Sequence, residues 1–154
     1  MAVLLIAGCR WGGKPSGTAV INSKEVVTKC NDGIRVGEDI QRRFADRRSA
    51  LQKQEESLHK LQNDPALSDS KSGKRDELQR VAQAYLEASQ QYRQDVDNET
   101  TAKYAPILDK INKVLADYAT EHRLISIQDK NGFAYVDPSL DITAEIIKRV
   151  DQVK

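Results

Sequence analysis

The apolar positions of this chain change their spacing three times, and each change predicts a different element. From Thr18 to Asn22 the run TAVIN puts apolar and β-branched residues on both faces of an extended segment, which predicts a short strand. A turn of helix follows, up to the breaker NDG at Asn31 to Gly33. Beyond it the spacing becomes sevenfold. Phe44, Leu51 and Leu58 lie seven apart, with Ile40 and Leu61 offset by three or four, and the intervening residues are polar. This narrow seam predicts a helix from about Gly33 to Asn63. Leu78, Tyr85 and Tyr92 repeat the pattern in a second helix from about Arg75, with Val81, Ala88 and Val96 in its seam.

Between the two helices, NDPALSDSKSGK (Asn63 to Lys74) collects proline, glycine, serines and aspartates, so the chain reverses there. The result is an antiparallel helical hairpin, each limb about 45 Å long at ~1.5 Å per residue. Arg47 and Gln54 interrupt the seam, so the arm is expected to be loose. From Pro106 the pattern broadens: Ile107, Ile111, Val114, Leu115 and Tyr118 form the wider stripe of a helix packed on a core, and Pro106 is expected to kink or restart the helix.

The remaining residues predict a small sheet. A three-residue loop at Lys130 to Gly132, with Gly132 left-handed, would make a hairpin over Leu124 to Val136, pairing Asp129 with Phe133 and Ile127 with Tyr135. Ile125, Ile127, Phe133 and Tyr135 would then share a face. A last helix follows, with Ile142, Ile146, Ile147 and Val150 as its buried stripe and Asp141 or Thr143 as its cap. The predicted fold class is α+β and mostly helical: a three-stranded body carrying a long helical arm. Its segments are residues 1–17 (leader remnant and linker), 18–32 (first strand and short helix), 33–105 (arm) and 106–154 (body). So small a sheet leaves open edges, which association of several chains would cover. Val20, Ile21, Ile125, Ile127, Phe133 and Tyr135 are the candidate residues of that oligomeric body.

Composition agrees with an extended molecule, because 39% apolar and 31% charged residues are a lean supply for one compact core in 154 residues. With 24 basic against 23 acidic side chains there is no general positive field, and nucleic acid is not an expected partner. The start, MAVLLIAGC, is too short to span a membrane; IAGC has the small residues of a bacterial lipoprotein cleavage box, making Cys9 a candidate lipidation site, against a truncated ordinary leader. Arg10 rather than an aspartate after the cysteine implies, by likeness to bacterial lipoproteins, sorting to the outer membrane. RWGGKPSG (Arg10 to Gly17) reads as a flexible linker. Cys30 has no second cysteine at metal or redox spacing and reads as a small, partly buried side chain.

Catalysis is not expected. His59 and His122 are far apart in sequence, no glycine-rich phosphate loop is present, no serine or cysteine sits in a nucleophile motif, and nothing asks for a metal or cofactor. The candidate binding residues lie on the arm. Arg42, Arg43, Arg47 and Arg48 are the densest basic group, either a solvated helix face or a patch for acidic ligands and lipid headgroups. Lys71, Lys74 and Arg75 near the reversal carry the same two readings. Tyr85, Tyr92 and Tyr104 offer amphipathic contacts, while the heptad spacing of Tyr85 and Tyr92 equally suits packing within the seam.

Two C-terminal stretches, PILDKINKVLADYA and VDPSLDITAEIIKRV, resemble the Skp/OmpH family of periplasmic chaperones, with DPSLDIT the most specific run. The arm resembles the family in pattern and length. The resemblance implies a homotrimer with a small intersubunit β body and three arms, enclosing unfolded outer-membrane proteins and holding them without ATP. It carries no catalytic residues. This arm is nearly balanced in charge, whereas family arms are commonly basic. The competing reading is a lipid-tethered coiled-coil adaptor that recognises one folded envelope partner.

Overall fold

The computed structural model describes residues 17–69 and 73–153. Cys9, most of the predicted linker and Lys71 lie outside the described residues. Seven elements follow in order: β1 (Gly17–Ile21), α1 (Ser23–Lys29), α2 (Asn31–Arg43), α3 (Ala45–Gln62), α4 (Lys74–His122), β2 (Leu124–Asp129) and α5 (Thr143–Gln152). Short 3-10 turns occupy Pro65–Ser68, Lys130–Gly132 and Pro138–Leu140. The contacts divide the chain into two compact units: residues up to Val27 with those from Lys110 onward, and Thr28–Asp109.

The first unit is built on a two-stranded parallel sheet. Ala19, Val20 and Ile21 of β1 are all buried, as expected for a strand covered on both faces. β1 pairs with β2 in the register Ala19 to Ile127, Val20 to Gln128 and Ile21 to Asp129, with an irregularity between Gly17 and Thr18. Around the sheet, Val26, Ile111, Val114, Tyr118, Ile146 and Val150 complete the core. Arg149 adds a polar fastening: its guanidinium lies 4.7 Å from the Tyr118 ring centre and pairs with Glu121 at 2.6 Å and Glu145 at 3.0 Å. His122 stacks on the same Tyr118 ring, with ring centres 4.1 Å apart.

The predicted hairpin does not form. β2 pairs with β1 instead, and the body sheet has two strands among the described residues rather than three. After β2 the Asp129 carboxylate accepts hydrogen bonds from the Asn131 N–H at 2.8 Å and the Ser23 N–H at 3.1 Å. Those bonds tie the turn back to the exit of β1. Gly132 is not left-handed; the described residues with positive φ are Gly73 and Arg123, the latter linking α4 to β2 at φ 54°. Phe133 to Val136 consequently runs without a ladder partner among the described residues.

A polar knot closes this unit. Thr143, 6% exposed, accepts the Asn22 N–H at 2.9 Å on its hydroxyl oxygen and donates that hydroxyl to Asp141. Asp141 also accepts the Thr143 N–H at 3.0 Å, and the Ile142 N–H reaches the Val20 carbonyl at 3.0 Å. The N-cap position of α5 is Ile142, without a side-chain cap bond, so neither predicted candidate holds it; Asp141, one residue earlier, supplies the carboxylate that accepts the Thr143 N–H. The buried stripe of α5 is Thr143, Ile146 and Val150, with Ile142 and Ile147 half-buried.

In the second unit α2 and α3 lie antiparallel to the first part of α4. Three expectations need correction here. NDG opens α2 instead of ending a helix: the fully buried Cys30 stands at the N-cap, its Sγ accepting the Gly33 N–H at 3.4 Å. The outgoing limb is two helices, because Phe44 adopts φ −100°, ψ 3° between α2 and α3. Pro106 does not restart the helix, since α4 runs through it without a break. Pro106 and Ala102, whose carbonyl loses its usual donor, are both exposed, so the lost bond falls on the solvent side of the helix.

Replacing Thr143 by valine keeps the shape and removes the shared hydroxyl, leaving the Asn22 N–H without its partner. A loss of about 1–3 kcal/mol in denaturant unfolding is expected. An unchanged midpoint would show that the knot contributes nothing.

Candidate functional site

The arm presents the larger surface. No residue of α3 is buried, and its apolar residues Leu51, Leu58 and Leu61 are only half-covered. Opposite them on α4, Leu78, Val81, Tyr85, Ala88, Tyr92 and Val96 are also half-buried. A single stripe seven residues in period cannot cover more, because most side chains of each helix point away from the partner. Leu86, 52% exposed, stands outside the seam.

Charge holds the base of the arm. Asp39 pairs with Lys103 at 2.9 Å, Arg43 with Glu99, and Arg47 with Asp95 at 2.7 Å. The three rungs recur every four residues on both limbs. Hydrogen bonds from Lys103 to Asp39, and from Arg47 and then Gln91 to Asp95, hold both aspartates below their usual titration range. Arg47 also lies over two rings, 5.7 Å from the centre of Phe44 and 5.9 Å from that of Tyr92. Those rings meet edge to face at 5.8 Å. Tyr104 donates its hydroxyl to the Gly33 carbonyl at 3.3 Å.

Each described sequence candidate on the arm now has a place. Arg43 and Arg47 belong to the ladder, Arg42 pairs with Asp39 at 3.5 Å, and Arg48 donates to the Gln41 carbonyl at 3.4 Å. Near the reversal, Lys74 pairs with Glu77 at 2.9 Å, while Arg75 donates to the Leu67 carbonyl at 2.9 Å. Tyr85 and Tyr92 are half-buried. Sequence reading missed Asp39, Asp95, Glu99 and Lys103; the signal was the fourfold spacing of opposite charges when the two limbs are laid antiparallel.

The body presents a second surface. Val20 and Ile21 lie in the chain's own core, and Ile127 is half-buried. Ile125, Phe133 and Tyr135 are 67%, 45% and 78% exposed. The same unit has an open cleft of about 540 Å³ walled by Val136, Pro138, Ala144 and Ile147, with Glu25, Lys130, Asp141 and Thr143 as its polar side. Lys130 bonds Asp141 at 2.7 Å. That bond and the one from Thr143 lower the Asp141 pKa from 3.8 to about 2, and the Lys130 ammonium is raised in turn, chiefly by the same carboxylate. Among the described residues no cluster of three or more His, Cys, Asp or Glu could hold a metal, and no helix is long and apolar enough to cross a membrane.

Asp141→Asn is expected to lower the unfolding midpoint at neutral pH. A depressed carboxyl pKa stabilises the fold above the unfolded pKa and ceases to do so as pH falls through the folded value. The gap between the two proteins should therefore narrow as pH falls from about 4 toward about 2 and close below that. Paired thermal melts across that range check it; a gap independent of pH would show that the Asp141 charge is not what stabilises.

Comparison with known proteins adds three findings. Residues 17–150 match the family model described as outer membrane protein (OmpH-like). Two curated relatives are both called chaperone protein Skp. The one from Pectobacterium atrosepticum is 29% identical over 140 residues, covering 86% of this chain and 84% of the relative. The one from Yersinia enterocolitica is 24% identical over 138 residues, with the same coverage. A crystal structure described as a putative outer membrane chaperone (OmpH-like) from Caulobacter crescentus aligns with a TM-score of 0.51 at 16% identity, covering 92% of this chain and 87% of that one, a likeness of fold. With all seven described elements inside or overlapping the matched span, this chain belongs to the OmpH-like outer membrane protein family.

Proposed function

We propose that this protein is an ATP-independent holdase that binds unfolded outer-membrane proteins in the periplasm and keeps them from aggregating. The observation that carries the reading is the arm: a helix of 18 residues with none buried, laid against an equally half-covered partner. Such an arm spends its residues on surface. A holder of many unfolded sequences gains from that, since one shaped pocket selects one ligand, whereas weak contacts spread over long arms accept many. The relatives' name, chaperone protein Skp, supports the same reading.

In this proposal the working form is a homotrimer joined through the body. The exposed Ile125, Phe133 and Tyr135 lie together in sequence with the unladdered segment after β2, and burying them against a neighbouring chain supplies the apolar area that a two-stranded sheet lacks. Three arms on one body multiply weak contacts by avidity. Acylation of Cys9 would tether this assembly to a membrane and leave its manner of holding unchanged.

Light scattering tests the holding. Several unrelated unfolded β-barrel proteins should stay soluble at near-stoichiometric amounts of the full chain with no nucleotide, and a variant lacking Ala45 to Val96 should lose that effect. Indifference to all of them, with retention of one folded envelope protein, would establish the adaptor instead.

Sedimentation tests the assembly. Tyr135 is 78% exposed in the single chain, so Tyr135→Asp should leave the chain folded while burying an unpaired charge between chains. Dissociation with unchanged helical content is the expected result; a folded monomer from the unmodified chain would overturn the trimer.

A further inference from the structure

The ladder at the base of the arm contrasts with what lies beyond it. Three rungs, Asp39 to Lys103, Arg43 to Glu99 and Arg47 to Asp95, follow one another at every helical turn. Glu99 is shared, because Lys103 also reaches it at 3.6 Å, and Asp39 is shared with Arg42 at 3.5 Å. The first two rungs therefore form a network, the arrangement in which surface ion pairs count, and the third rung is fastened further by Gln91, which donates to Asp95 at 2.7 Å. Past Arg47 the ladder stops: among the described residues no ion pair joins α3 to α4 between it and the reversal. A cleft of about 200 Å³ opens between the limbs at the last rung, lined by Arg47 and Tyr92 and, beyond them, by Ala50, Gln54, Ala88 and Gln91.

The order of signs adds selectivity. The outgoing limb reads minus, plus, plus at 39, 43 and 47, and the returning limb reads plus, minus, minus at 103, 99 and 95. A slip of one turn in one direction sets Asp39 against Glu99; in the other it sets Arg43 against Lys103. Either slip replaces three attractions by one attraction and one repulsion. The half-buried seam, with its sevenfold repeat, discriminates registers poorly by comparison.

We propose that this ladder is an electrostatic clasp that keeps the base of the arm closed and in register, and that ionic strength sets how far the arm yields beyond it. The inference deepens the holdase reading, since a looser clasp lets the arms spread around a larger client, but the clasp is tested without any client. Its rungs are solvent-accessible, so screening reaches them: the Debye length falls from ~10 Å at 0.1 M salt to ~3 Å at 1 M.

The experiment places nitroxide labels on cysteines introduced at the exposed Ser49 and Gln90, just past the last rung, in a Cys9→Ser, Cys30→Ser background diluted into unlabelled chain. Pulsed electron resonance then reads the distance between the limbs. At low salt the unmodified arm should give one narrow distribution, which widens and shifts outward by several ångströms at about 1 M salt. Lys103→Glu should give the wide distribution already at low salt. Adding Asp39→Lys should narrow it part of the way, because the rung is restored with its sign reversed while its side contacts with Glu99 and Arg42 become repulsive. Circular dichroism on the same samples checks that helix is retained, so loss of folding is told apart from loss of the clasp. Distributions that ignore both salt and Lys103→Glu would overturn the clasp, as would failure of the reversed pair to narrow them while helix content is intact. A responsive clasp with no holding in the scattering assay would overturn the holdase reading and leave the clasp standing.

Discussion

The hydroxyl of Thr143 joins pieces of chain that are 121 residues apart, and the body depends on that junction. It receives the backbone N–H just after β1 and passes its own proton to Asp141, while the neighbouring Ile142 N–H takes the carbonyl of Val20. A two-stranded sheet has little cohesion by itself, and a parallel pair cannot be closed by a tight turn. Here the connection between its strands is the whole arm. Something other than the turn must hold β1 beside β2, and the knot at Asp141 and Thr143 does so by fastening the start of α5 to the exit of β1. The buried Ile146 and Val150 then follow on the same helix face.

The arm obeys the opposite economy. Its apolar stripe is sufficient to bring two helices together and too narrow to bury either of them, so its order at the base comes from charge. Arg47 illustrates the substitution. At a seam position where a tighter coiled coil would carry an aliphatic residue, it pairs with Asp95 and covers the rings of Phe44 and Tyr92. The stem of an arginine packs while its head remains solvated, so the same residue closes the seam and keeps the surface polar.

These two designs fit the holding role proposed for the protein. The body concentrates its buried apolar side chains in β1, α5 and the end of α4, and leaves Ile125, Phe133 and Tyr135 outside. The arm offers length, half-covered aromatic and aliphatic residues, and a charge network that screening weakens. Binding strength then has to come from area and number of contacts, which is the property a holder of unstructured chains requires.

Much of this was written in spacing. The sevenfold seam, the reversal at Asn63 to Lys74 and the stripe Ile107, Ile111, Val114, Tyr118 are local periodicities, and local periodicity determines which face of a helix is apolar whatever packs on it. The family, too, was legible in DPSLDIT, whose residues turn out to form the knot and its approach. What tertiary structure decided was partnership. LISIQDKNGFAYV is a sound hairpin by pattern, yet β2 chose β1, because the Asp129 carboxylate is drawn to Ser23 and the turn takes a 3-10 form instead of a left-handed glycine. The arginines of QRRFADRR looked alike in sequence, and the antiparallel fold set Arg43 and Arg47 against carboxylates more than 45 positions away. Spacing along one segment reports the faces of that segment; which other segment meets those faces is settled by contacts between residues that no local pattern relates.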